Sequence, residues 1–187
     1  MPGKSIHEAV DNYITPLRRA VLCLNSNAHI VLANRPHKVD DAGYWRLGDE
    51  TGLRLKTRHD SRDDWRFFAE QHFSAVEADP AKVDPSLGKY RVTTTMYSYK
   101  LEVNGSPKWR MDWHPMRGVK AIPHMHIEPN MKAHVPTGRQ TLENAVWTCI
   151  DMGAVPACSD WESRLLESDF VHKLHRSWID NPAEKTQ

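Results

Sequence analysis

The alternation of apolar and polar positions divides this chain into short strand-like runs and a few helical stripes. SIHEAVDNYI opens with Ser5 three residues ahead of Glu8, a capping-box spacing that predicts a short helix ending before Pro16. AVLCL (20–24) and AHIVLAN (28–34) flank Asn25, Ser26 and Asn27 and predict a hairpin. LRLKTRH (53–59) alternates with charge on both faces, as an edge strand does. SRDDWRFFAEQHFSAV (61–76) has Ser61 as N-cap, acids in its first turn, and Trp65, Phe68, His72 or Phe73, and Val76 at helical spacing. It predicts a helix.

A Pro-rich connector, Asp79 to Gly88, leads to YRVTTTMYSYKLEV (90–103) and KWRMDWH (108–114). These surround Asn104-Gly105, the strongest short-range hairpin signal. AIPHMHIE (121–128) follows as a third strand. RQTLENAVWTCIDMG (139–153) predicts a helix with Leu142, Ala145, Val146 and Cys149 on one face and Gly153 just past its end. SDWESRLLESDFVHKLHRSW (159–178) predicts a last helix burying Trp161, Leu165, Phe170 and Leu174 in some combination, before a frayed tail. The expected fold is α+β: one domain, with an antiparallel sheet and helices packed on one face. Residues 1–88 supply a helix, a hairpin and a helix, and residues 89–180 supply the second hairpin, the His-rich strand and two helices.

A two-residue turn at Asn104-Gly105 pairs Met96 with Trp113 and Ser98 with Met111. One face then gathers Val92, Met96, Trp109, Met111 and Trp113, a set suited to packing under helices. The other gathers Thr95, Tyr97, Tyr99, Arg110, Asp112 and His114. The third strand divides in the same way, Ala121, Met125 and Ile127 alternating with His124, His126 and Glu128. A sheet face of Tyr, Arg, Asp and His holds the residue types of acid/base and anion chemistry, and it depends on the register.

Charge sharpens this picture. Residues 89–140 carry nine Lys/Arg against three Asp/Glu, and also four histidines, whereas the flanking segments hold twelve against thirteen and four against eight. A basic middle segment fits an anionic ligand such as RNA or a phosphate ester. No apolar run approaches the roughly 20 residues that span a bilayer, so a soluble, cytoplasmic protein is expected, with no membrane partner. Cys23, Cys149 and Cys158 lie far apart with no CxxC pair, which argues against a disulfide framework and a thiolate zinc site. Cys149 reads as core packing.

Two chemistries suit the histidines. His124 and His126 can chelate Zn or Fe, as in a metal-dependent oxygenase or hydrolase, with His114 or His134 as a further ligand. Glu128, roughly 13 Å along the strand from His124, cannot share that ion. Alternatively, a metal-free phosphodiester cleavage uses His124 and His126 as general acid and base, supported by His114 and Asp112. Arg110 and Arg139 then bind phosphate, and Tyr97 and Tyr99 stack on bases or donate hydrogen bonds. A non-catalytic module that docks RNA or an acidic protein is the third expectation.

WRMDWH, PHMH and the helix start RQTLENAV together resemble the TumE-like toxins of bacterial toxin-antitoxin systems, over residues 89–153. The residues that map are Arg110, Asp112, His114, Pro123, His124, His126 and the Arg139–Leu142 helix start. The long N-terminal region departs from these small toxins and suggests a larger relative, for instance in phage defence. The resemblance implies a small α+β toxin that acts on RNA or translation and is neutralised by a helix-turn-helix antitoxin. With the residues above, the leading expectation is a metal-independent ribonuclease without cofactor.

Overall fold

The computed structural model describes residues 2–58, 62–80, 84–115, 122–175 and 177–178. Helix α1 spans Ile6–Leu22, and Ser5 caps it by accepting from the Glu8 N–H at 3.1 Å, as the capping-box spacing predicts. The helix does not stop at Pro16. Val10, Tyr13, Ile14, Leu17 and Val21 form one buried stripe that continues across it. An interior proline costs about 3 kcal/mol, whereas each such side chain gains roughly 1.5–3 kcal/mol on burial, so the stripe wins. AVLCL is therefore helix end and cap rather than strand.

Nine strands follow in one sheet among the described residues: β1 (Ile30–Asn34), β2 (Ala42–Leu47), β3 (Leu53–Leu55), β4 (Trp65–Glu77), β5 (Tyr90–Val103), β6 (Ser106–Trp113), β7 (His124–Ile127), β8 (Asn130–Pro136) and β9 (Ser177–Trp178). The order is β1-β2-β4-β5-β6-β7-β8, with β3 also on β4 and β9 on β5. All pairings are antiparallel except β5 with β9. β1 pairs with β2 rather than with residues 20–24. Helices α2 (Leu142–Asp151) and α3 (Trp161–His175) join α1 on one face, giving the expected α+β domain.

Residues 65–77 form the long strand β4, not the predicted helix. Trp65, Phe67, Ala69, Gln71, Phe73 and Ala75 are buried, while the residues between them are only partly covered. The segment satisfies both a helical and a two-residue period. Pairing with β2 and β3 on one side and β5 on the other selects the strand. Gly43 on β2 lies against the Phe73 ring, which an added Cβ would meet at 2.3 Å. Gln71, fully buried under the helices, accepts from the Tyr13 hydroxyl and from Trp45 Nε1 at 3.2 Å, and its amide donates to the Tyr99 hydroxyl.

Asn104 (φ 53°) and Gly105 (φ 75°) make the predicted two-residue turn between β5 and β6. Val103 faces Ser106 and Glu102 faces Pro107, as that turn requires, but a bulge then intervenes and Leu101 faces Trp109. Pro107 has no N–H for the ladder, and a bulge is where a sheet tolerates one. Beyond it the pairs are Lys100 with Arg110, Ser98 with Asp112, and Tyr97 with Trp113. Tyr97 and Tyr99 therefore enter the helix-covered core with Trp109, Met111 and Trp113, while Met96, Ser98 and Lys100 take the other face. Of the third strand's apolar set, Met125 packs against the core and Ile127 is exposed; Ala121 lies outside the described residues. On α3, Leu165 is buried and Trp161 partly so, but Phe170 is exposed.

Candidate functional site

The sheet face opposite the helices carries two transverse rows of side chains. One runs Arg46, Glu70, Ser98, Asp112, His124 across β2, β4, β5, β6 and β7, and the next runs Phe68, Lys100, Arg110, His126. Alternation along each strand sets these faces, and the bulge brings Ser98 and Lys100 into the rows in place of the tyrosines. His124 and His126 thus share a face with Arg110 and Asp112, as the parity of their strands requires.

Asp112 is the hub. Almost fully buried, it accepts from Ser98 Oγ at 2.7 Å and Arg110 Nε at 2.5 Å. It lies 3.5 Å from His126 Nε2 and 3.9 Å from His114 Nε2. Arg110 also reaches His126, with Nη2 at 3.1 Å from Nε2. A guanidinium only donates, so the His126 Nε2 lone pair accepts here. Burial, followed by the charge of Arg110, holds the His126 pKa below its ordinary value against the opposing pull of Asp112. His126 is therefore a neutral imidazole near pH 7, fit for a base or a ligand.

The third histidine is His134, exposed on β8. Its ring centroid lies 4.6 Å from that of His124 and 4.5 Å from that of His126, and one nitrogen from each of the three histidines lies within 4.8 Å of the others. A zinc ion at about 2.1 Å from each nitrogen needs separations of roughly 3.4 Å in tetrahedral geometry. His134 can supply that contraction, because its side chain is exposed on the strand at the end of the sheet. One feature of the buried pair fits an ion. His124 Nδ1 lies 2.8 Å from the Ile122 carbonyl, which fixes the proton there and leaves Nε2 as the lone pair. His126, whose Nε2 accepts from Arg110, carries its proton on Nδ1, which is buried without a hydrogen-bond partner among the described residues, so an ion bound at Nε2 has to displace the Arg110 contact. The opposing feature is the Arg110 charge, which Asp112 balances.

Glu128 takes no part, since it is paired with Lys108 Nζ at 2.8 and 2.9 Å, as the strand spacing demands. Sequence spacing alone leaves His134 undecided between ligand and loop. The period-two run of β8 after the Pro129 turn is the signal that it returns antiparallel to the HxH strand. Ser98 and Glu70 are missed altogether, Ser98 because its face depends on the bulge between β5 and β6 and Glu70 because residues 61–76 read as a helix.

Three predicted residues lie elsewhere. Tyr97 and Tyr99 are fully buried and stacked on each other at 4.9 Å, the Tyr97 hydroxyl accepting from the Gln140 N–H at 2.9 Å. They hold the core and cannot stack on a base. Arg139 lies over the ring of core-face Trp113 at 4.4 Å, at the approach to α2 rather than among the histidines.

A cavity of about 350 Å³ opens on the histidines, walled in part by Ser98, Arg110, Asp112, His114, His124 and His134. It adjoins a larger one of about 600 Å³ whose walls include Tyr44, Arg46, Phe68 and Lys100, and the two share Glu70, Ser98 and Arg110. Tyr44 donates to Glu70 at 2.9 Å, and burial together with that carboxylate pushes the phenol up to about 12, so it stays a donor. A ligand placed at the histidines has room to extend across the sheet. Comparisons with protein-family models, curated proteins and solved structures return no match, so the resemblance to TumE-like toxins rests on its motif residues alone.

Proposed function

We propose that this protein is a metal-dependent hydrolase of anionic esters, with His124, His126 and His134 holding a divalent ion, zinc by preference. The observation that carries this reading is the approach of three imidazole nitrogens to within 4.8 Å, beside a polar cavity that His124 and His134 line. Held by these three histidines, a zinc ion would supply Lewis acidity and would make a water acidic enough to ionise near neutral pH. The chain's own residues do the rest. His124 is oriented by the Ile122 carbonyl, His126 is kept neutral, and Asp112 fixes Arg110, which lines the cavity, beside them. Arg110 is placed to grip a phosphate oxygen. The resemblance suggests the setting, a bacterial toxin or phage-defence enzyme acting on RNA in the cytoplasm and restrained by a helix-turn-helix antitoxin.

A second reading, metal-free phosphodiester cleavage, draws on the neutral His126 beside Arg110, which pairs a base with a phosphate clamp. Elemental analysis of untagged protein and thermal unfolding with added zinc separate the two. At a hundredfold excess over Kd the ion stabilises by about 2.7 kcal/mol, which raises Tm by about 7 °C in a chain of this size. His134→Ala removes that shift and leaves the apo Tm within a degree or two. No bound metal and no zinc-induced shift would sink the metal reading, and RNA cleavage surviving a chelator would favour the second.

A further inference from the structure

Cys23 and Cys158 belong to no part of the site above, and their separation in sequence argues against a bond. The fold brings them together. Cys23 is the C-cap of α1, and its carbonyl accepts from the Ala157 N–H at 2.8 Å, so the residue after Ala157 lies beside the helix end. The Val155 N–H, donating to the Lys56 carbonyl at 2.7 Å, pins the same segment. The two thiols lie close enough for Cys158 to raise the Cys23 pKa, and Cys23 Sγ also lies 3.6 Å from the Arg19 carbonyl. Cys149, in contrast, is fully buried within α2.

We infer that Cys23 and Cys158 form a reversible disulfide that ties the C-terminal end of α1 to the segment entering α3. A bond needs the sulfurs to close to about 2 Å, and the Ala157–Cys23 backbone hydrogen bond one residue away already sets the approach of the two main chains. The order of reaction follows from exposure. Cys158 is partly exposed, close to the Asp160–Arg164 ion pair (2.8 Å), whereas Cys23 is buried. Burial, reinforced by Cys158, pushes the Cys23 thiol up to about 12, so it is the slower nucleophile.

With oxidised glutathione as the oxidant, the Cys158 thiolate attacks one glutathione sulfur. A protein–glutathione S–S bond forms, and the other glutathione leaves as a thiolate. Cys23 then gives its proton to solvent and attacks the Cys158 sulfur, forming the intramolecular bond and releasing the second glutathione. Two protein thiols are oxidised and one glutathione disulfide is reduced to two thiols.

The test treats the full chain with oxidised glutathione and follows intact mass and thiol content in denaturant. The expected product has lost two hydrogens, carries no glutathione, retains one alkylatable thiol at Cys149, and yields a Cys23–Cys158 peptide that reduction separates. Cys23→Ser is expected to stop at a stable glutathione adduct on Cys158. The inference is overturned if the parent chain also stops at that adduct, if both thiols stay free, or if Cys158 bridges two chains. None of these readouts depends on the histidine site.

Discussion

Replacing Asp112 by Asn tests the electrostatic design of the histidine face at its centre. The side chain is 3 % exposed, and the shape of Asn is nearly the same, so the change isolates charge. Asn keeps an oxygen for Ser98 Oγ, at a cost of about 0.5–1 kcal/mol for exchanging a carboxylate acceptor for an amide. Arg110 loses its counter-charge. A buried partner left alone costs about 3–5 kcal/mol, but this guanidinium is 43 % exposed and solvent screens it, which leaves about 1–2 kcal/mol. The total is about 2 kcal/mol. With an m-value of about 2 kcal/mol/M, the urea midpoint falls by about 1 M. The carboxylate also opposes the lowering of the His126 pKa, so Asp112→Asn moves that pKa further down, which imidazole NMR reads directly. A midpoint change under about 0.3 M, or a His126 pKa that rises, would refute the hub assignment.

Two other outcomes follow from the same geometry. Gln71→Leu removes a shared partner from Tyr13, Trp45 and Tyr99 in the core, costing about 3 kcal/mol in thermal or urea unfolding. Gln71 faces the helices, so the zinc-induced rise in Tm is expected to survive in this variant. Stability also depends on pH through His126, whose folded pKa lies below the unfolded value of about 6.5. Above that pH both states are neutral and this contribution is fully present. As pH falls below it, the unfolded chain takes the proton first, and stability drops until folded His126 titrates. The slope of stability between about pH 6.5 and 5 is expected to be shallower in His126→Gln, and an unchanged slope would exclude His126 as its source.

Local chemistry alone determined a good part of this protein. The Ser5 cap, the Asn104-Gly105 turn and helix α2 within residues 139–153 each depend on a few adjacent residues, and all are found where the sequence predicts them. Strand parity likewise put His124 with His126 and kept Glu128 out, because alternation is a property of one strand. Other features needed partners distant in sequence. Residues 65–77 suit helix and strand periods about equally, and only hydrogen bonding to β2, β3 and β5 decides between them. One bulge near Pro107 exchanges the faces of β5, sending Tyr97 and Tyr99 into the core and Ser98 and Lys100 to the site. His134 reaches the other histidines through the return of β8, and Cys23 meets Cys158 through the packing of α1 against the segment before α3. Turns and caps are settled by neighbouring residues, whereas the composition of a sheet face depends on register. Register is set by hydrogen bonds between strands that no local pattern specifies.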